Sequence, residues 1–367
     1  MKTSRKSTSF LWTLRITFAK IFKFVYRMNV SNRIFVSVFA LLGVFCSNLH
    51  AQERSLDERI NSVESTVSKL PKIMGDVNVR YRYDDLTKTN GFDVRRARID
   101  LRGNPAKKLE YRIHFDFSNT PKLLDAIFSW KINDYVALQA GQYKIHFSLE
   151  NPYNPNNLEM IDNAVVISSL VNYSDVSGLN ANGRDIGLSC IGNFLRRDGF
   201  SIINYSIGLF NGQGTNTGDA NKSKDFSGIF TVNPVKPLSL AVSHYNGLQV
   251  RQAQSDIVQR VRTGVGAKYD DGRLLVRSEY IQGKTGNFKS EGAYATAGYF
   301  VHPKIQPVLR YDYFKRNMND NSTRQQNYVV GFNYFLANNV RFQLNYTYRK
   351  AHESDSNLIV TQIWVKF

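Results

Sequence analysis

The chain has 367 residues, 13% of them aromatic, and a formal charge of +18 at pH 7. That length allows two soluble domains or one large barrel, and two distant cysteines, Cys46 and Cys190, exclude a disulfide or thiolate–metal framework. The basic balance is compatible with nucleic acid or anionic solutes, but no nucleic-acid fold signature accompanies it, and the basic residues fall mostly on strand-like segments.

In chain order, residues 29–33 are polar and basic, residues 34–45 form an apolar core, and Leu49-His50-Ala51 offers cleavage after Ala51. The core is too short for a spanning helix. Residues 1–27 precede a second methionine, Met28, which is the expected true start. Residues 1–51 therefore read as an N-terminal extension and signal peptide. Bulky Phe45 argues against lipid attachment at Cys46. In residues 52–73, Leu56, Ile60, Val63, Val67 and Leu70 recur at steps of four and three and stop at Pro71. This heptad seam predicts a periplasmic coiled coil joining protomers, or an amphipathic helix packed on its own barrel.

From Met74 the period switches to two. Val77, Val79, Tyr81 and Tyr83 alternate with polar residues; Leu109, Tyr111, Ile113, Phe115 and Phe117 oppose Glu110, Arg112, His114 and Asp116. Val340, Phe342, Leu344, Tyr346 and Tyr348 likewise oppose Arg341, Gln343, Asn345, Thr347 and Arg349. Segments apolar on one side and charged on the other are those of a transmembrane barrel. Their hydropathy averages away, so a negative mean hydropathy is no objection. Sixteen such segments are predicted, the last ending in the ladder Ile359, Thr361, Ile363, Val365, Phe367. The expected fold is all-β: a 16-stranded antiparallel transmembrane barrel over 74–367. An even strand number puts both ends on one side, and 20 Tyr and 24 Phe are enough for aromatic girdles. Asp270-Asp271-Gly272 and Ala337-Asn338-Asn339 read as short turns alternating with longer loops such as 211–223 and 316–324. One connection, about 145–182, is far longer and carries an apolar patch at 164–167; it is expected to fold inward and narrow the lumen.

These pieces resemble the phosphate-selective porin O and P family. The resemblance rests on Phe92-Asp93-Val94-Arg95-Arg96-Ala97-Arg98, Leu109-Glu110-Tyr111-Arg112, Gly141-Gln142-Tyr143-Lys144, Gly183-Arg184-Asp185-Ile186-Gly187, Phe210-Asn211-Gly212-Gln213-Gly214 and Pro307-Val308-Leu309-Arg310-Tyr311-Asp312-Tyr313, in that order. It implies a trimeric outer-membrane porin with an inward-folded loop after the fifth strand. It also implies basic residues at the constriction, and here the chain departs from the family: residues 145–182 contain no Lys or Arg.

Phasing the strands gives a lumen wall of Arg96, Arg98, Arg112, Lys131, Arg262, Arg277, Arg310 and Arg341, with Asp100, Glu110, Asp116, Asp125, Glu279 and Asp312 in the same phase. Arg96 and Arg98, two apart, share a face. The loop supplies Glu150, Glu159, Asp162 and Asp175, so a basic wall is expected to compete with an acidic loop. For any one arginine the plainer reading is an ion pair that braces strands or holds the loop. No cofactor and no metal are expected. The favoured function is passive diffusion of small hydrophilic solutes with weak anion preference, phosphate or polyphosphate among them. The alternative is a barrel with a structural or adhesive role and little conductance. An enzyme is disfavoured, since no G-x-S-x-G occurs and no motif groups Ser with His and an acid. The expected partners are outer-membrane lipid, small anionic solutes and two further copies of the chain, and not nucleic acid.

Overall fold

The computed structural model describes residues 70–171, 173–251, 256–352 and 354–367. The expected leader, the start at Met28 and the heptad up to residue 69 lie outside the described residues.

Sixteen antiparallel strands form a closed barrel in which β1 pairs with β16. They are β1 (Lys72–Asp84), β2 (Thr89–Ala106), β3 (Leu109–Asp116), β4 (Lys122–Lys131), β5 (Val136–Lys144), β6 (Arg184–Arg197), β7 (Phe200–Phe210) and β8 (Asp225–Val235). The second half comprises β9 (Leu238–Arg251), β10 (Asp256–Asp270), β11 (Leu274–Thr285), β12 (Phe288–Tyr299), β13 (Ile305–Lys315), β14 (Arg324–Ala337), β15 (Val340–Ala351) and β16 (Ser356–Lys366). β1 starts at Lys72, so Lys72 and Ile73 belong to the barrel and not to the preceding segment.

Alternation decides which side each residue takes. On β16, Ile359 and Ile363 are exposed to the outside, while Val360 and Gln362 are buried inside. Closure follows from the solvent. A sheet edge in hydrocarbon leaves backbone groups unbonded, so the first and last strands must meet. Here they do: the Gly75 amide donates to the Phe367 carbonyl at 2.9 Å, and the Phe367 amide donates to Gly75 at 3.0 Å. Gly75 is needed at this seam, because a Cβ there would lie 2.3 Å from the Phe367 ring.

Even-to-odd connections such as 107–108, 198–199 and 338–339 are tight, and the opposite rim carries the longer loops 211–224 and 316–323. Both ends of the barrel lie at the short-turn rim. The segment 145–183 enters the lumen and holds, among its described residues, a 3-10 turn at Pro155–Asn157 and a short α-helix, α1 (Val165–Leu170), on the apolar patch seen in the sequence. Its side chains build the main apolar cluster of the molecule: Ile145, Phe147, Val166, Ile167 and Leu170 against Tyr143, Phe210, Tyr245, Ile281 and Tyr294 from the wall.

Candidate functional site

The lumen is divided by this loop. On the β10–β15 side the wall holds it. Arg277 on β11 donates to Glu159 at 2.8 Å and lies 3.5 Å from Glu150, all three buried. Arg262 on β10 reaches Asp175 at 2.9 Å and the Lys284 carbonyl at 2.7 Å. Arg310 on β13 pairs with Asp312 at 2.9 Å and donates to the Asp162 carbonyl at 2.7 Å. Arg341 on β15 donates to the Asn156 carbonyl and lies over the rings of Phe335 and Trp364. Wall carboxylates take the loop's free amides: Glu279 accepts from Leu149 at 2.7 Å and from Glu150 at 3.0 Å. A buried backbone N–H must find an acceptor, and a carboxylate is a strong one.

On the β2–β6 side the charges bond to one another. Arg98 meets Asp116 at 2.8 Å. Arg112 bridges Asp100 at 2.8 Å and Asp125 at 3.0 Å; Asp125 also takes Arg184 at 2.7 Å and His114 at 2.9 Å. Arg96 is buried on the inner face of β2, opposite Asn78 in register, with no hydrogen bond or ion pair among the described residues. Lys144, at the end of β5, donates only to the carbonyls of Asn151 and Tyr153.

Asp162 links the two sides. It bonds Arg95 at 2.5 Å and lies 3.7 Å from Arg82. Burial disfavours its charge, but Arg95, then Arg80, Arg82 and Arg310, outweigh burial and hold it at about 2. Burial pushes the loop's His146 down to about 4, so that imidazole is neutral at neutral pH.

Of the eight wall residues expected from sequence, Arg262, Arg277, Arg310 and Arg341 bond to the loop, Arg98 and Arg112 bond to strand carboxylates, and Arg96 is buried nearby; all four loop acids meet arginine. Lys131 does not join them. Its phase is inward, but it sits at the short-turn end of β4, exposed and paired with Asp134 at 3.1 Å. The acidic eyelet also needs correction: each loop carboxylate is engaged in an ion pair rather than free to face a solute. Several basic residues were missed, among them Arg95, Arg184, Lys144 and Arg260, which is buried on β10 against Asp225 at 3.1 Å. Arg95 turns inward because the register of β2 shifts between Val94 and Arg96, leaving one extra residue on that strand. The adjacent pair Arg95-Arg96, which no strict alternation can place on one side, was the available signal. Arg184 and Lys144 stood in recognised motifs but at strand ends, where phase is weakly defined.

A closed barrel with an apolar exterior, a charged interior and a loop folded into the lumen defines an outer-membrane porin, a channel for passive diffusion. The model of the family "Phosphate-selective porin O and P" matches residues 71–269 and 246–362, and the chain belongs to that family. Among solved structures it is similar to the anion-selective porin from Comamonas acidovorans (15% identity, TM-score 0.65), covering 81% of this chain and 99% of that one. It is also similar to OmpT of Vibrio cholerae in its trimer form (11% identity, TM-score 0.58), covering 81% of this chain and 99% of that one. The channel DcaP of Acinetobacter baumannii is similar as well (13% identity, TM-score 0.58), covering 81% and 97%. At these identities the likeness is one of fold. No curated protein sequence matches the chain.

Proposed function

We propose that this porin admits small hydrophilic solutes with a weak preference for anions, set at the β2–β6 side of the lumen. One observation carries the reading. The loop carboxylates Glu150, Glu159, Asp162 and Asp175 all pair with arginine, whereas among the described residues no ion pair within 4.0 Å covers Arg96 or Lys144. On the β1–β6 wall most charges cancel in pairs, Arg98 with Asp116, Arg112 and Arg102 with Asp100, Arg184 with Asp125 and Arg82 with Asp84, which leaves Arg96 as the excess. So small an excess biases permeation without building a tight anion trap, because a solute in a wet lumen keeps most of its hydration. The anion-selective relative of the same fold is consistent with this.

Reversal potentials in planar bilayers across a potassium chloride gradient test it. The wild type should reverse on the anion side. Arg96→Glu changes the local charge by two units; taking the solute about 8 Å away in aqueous dielectric, the permeability ratio should move about fivefold toward cations. Cation preference in the wild type would refute the reading, and micromolar phosphate blocking chloride current would refute the weakness of the selectivity. The apolar cluster inside the lumen favours a second reading, a barrel of low conductance, which the same recordings measure. We also infer a homotrimer, supported by the trimeric form of one relative and by the heptad in residues 52–73. Chemical cross-linking that stops at a species of three chains is the check.

A further inference from the structure

We propose that the outer face of β11–β15, at the long-loop rim, binds a phosphorylated lipid headgroup, with one acyl chain lying in the groove beneath it.

The barrel register places the residues. Outward-facing partners run across the strands in slanted rows. One row is Ser278, Ala295, Tyr311, Tyr328 and Tyr348; the next toward the rim is Tyr280, Ala293, Tyr313, Gln326 and Lys350. Above them Lys315 opposes Arg324, and Lys284 directly opposes Lys289. The face is therefore basic at the rim, tyrosine-rich below it and apolar below that.

Like charges directly opposite on neighbouring strands destabilise a sheet unless something neutralises them. Elsewhere on this rim basic side chains meet acids, as in Lys224 with Asp219, Arg251 with Asp256 and Arg80 with Asp93. Among the described residues no ion pair covers Lys284, Lys289, Arg324 or Lys350, and all four are exposed. The acids nearest to them in register are held by phenols: Glu291 accepts from Tyr280 at 2.9 Å and from Tyr313 at 3.0 Å, and Asp355, beside Lys350, accepts from Tyr348. Lys315 is satisfied separately by the Met318 carbonyl and Asn321. The charge that would settle this cluster is therefore supplied from outside the chain.

The groove states which source. It measures about 470 Å³ and is floored by Ala295 and Ala297, with Val276, Leu309 and Val330 along it. Rings of Tyr311, Tyr328 and Tyr348 line its upper part, with centroids 5.3 Å and 6.3 Å apart. Tyrosines mark the depth of the headgroup boundary, so the lysines sit at headgroup phosphates and the groove at acyl chains. A free phosphate would satisfy the cations alone; a lipid satisfies both layers.

The test uses the full-length protein in detergent, titrated with bisphosphorylated lipid A and with the same lipid after phosphatase treatment, and read by native mass spectrometry. The variant Lys284→Gln, Lys289→Gln, Arg324→Gln, Lys350→Gln is compared with Lys107→Gln, Lys304→Gln at the opposite rim. Wild-type conductance of each variant establishes that it has folded. The phosphorylated lipid should bind the wild type and the control alike, and bind the quadruple variant about tenfold more weakly. The dephosphorylated lipid should bind the wild type as weakly as the quadruple variant binds its phosphorylated parent. Equal affinity for the two lipids, or no loss in the quadruple variant, would overturn the proposal. So would disulfide cross-linking of Lys289→Cys to itself between chains, which would give this face to a second copy.

Discussion

On β10–β15, Arg262, Arg277, Arg310 and Arg341 reach carboxylates and carbonyls of the folded loop, whereas on β2–β6 Arg98, Arg112 and Arg184 reach carboxylates of neighbouring strands, Arg95 at the bulge reaches the loop's Asp162, and Arg96 forms no ion pair among the described residues. The residue types are the same and the consequences differ. An arginine tied to a loop acid becomes part of the barrel's architecture, and its charge is cancelled where it stands. On the other wall Arg96 stands on the inner face without such an ion pair among the described residues. On the function proposed above, selectivity is a property of unspent charge, not of the number of basic residues facing inward.

The comparison breaks most sharply at Arg277. Arg277→Ala leaves Glu159 and Glu150 buried without their cation, which should weaken the loop's seat by about 3–5 kcal/mol. Arg112→Ala on the other wall leaves Asp100 with Arg102 and Asp125 with Arg184, and should cost about 1 kcal/mol or less. Thermal unfolding in detergent measures both, and single-channel noise should rise only in the first. Equal effects would erase the distinction between the walls. The seam between β1 and β16 joins the two walls. Deleting Phe367 removes two backbone hydrogen bonds, about 1 kcal/mol each, together with the ring over Gly75. Assembly should slow and heat resistance fall; a truncated barrel as resistant as the wild type would contradict this.

Asp162→Asn is a gentler probe, since it frees Arg95 and Arg82 without moving a strand. One unit of charge about 8 Å from the path should raise anion preference about twofold in reversal-potential measurements. The smallest expected effect is that of pH. Asp162 is depressed to about 2, so its stabilising pairs are complete above the ordinary carboxylate value and are lost only as pH falls through about 2. His146, lowered to about 4 by burial, is neutral throughout the physiological range. Reversal potentials should therefore be flat from about pH 5 to 8 as far as these two groups are concerned. A step in that window that disappears in Asp162→Asn would contradict this.

Strand number, the inward phase of Arg98, Arg112, Arg277 and Arg341, and the long connection after β5 were all legible in the chain, because a barrel wall imposes a period of two on each strand by itself. Arg95 was not legible, since a single added residue in β2 shifts the phase on one side of it. Lys131 shows a different loss: alternation gives side but not depth, and a residue of the correct phase can still end at the rim. The pairing of the walls with the loop lay furthest out of reach. Arg277 and Glu159 are 118 positions apart, and Arg95 and Asp162 are 67 apart. The sequence alone determined an alternating chain that must close into a barrel, because each strand's two faces meet lipid and water. Which carboxylate cancels which arginine was decided only when closure and the inward fold of residues 145–183 brought distant residues within a few ångströms, where Coulomb attraction and burial act.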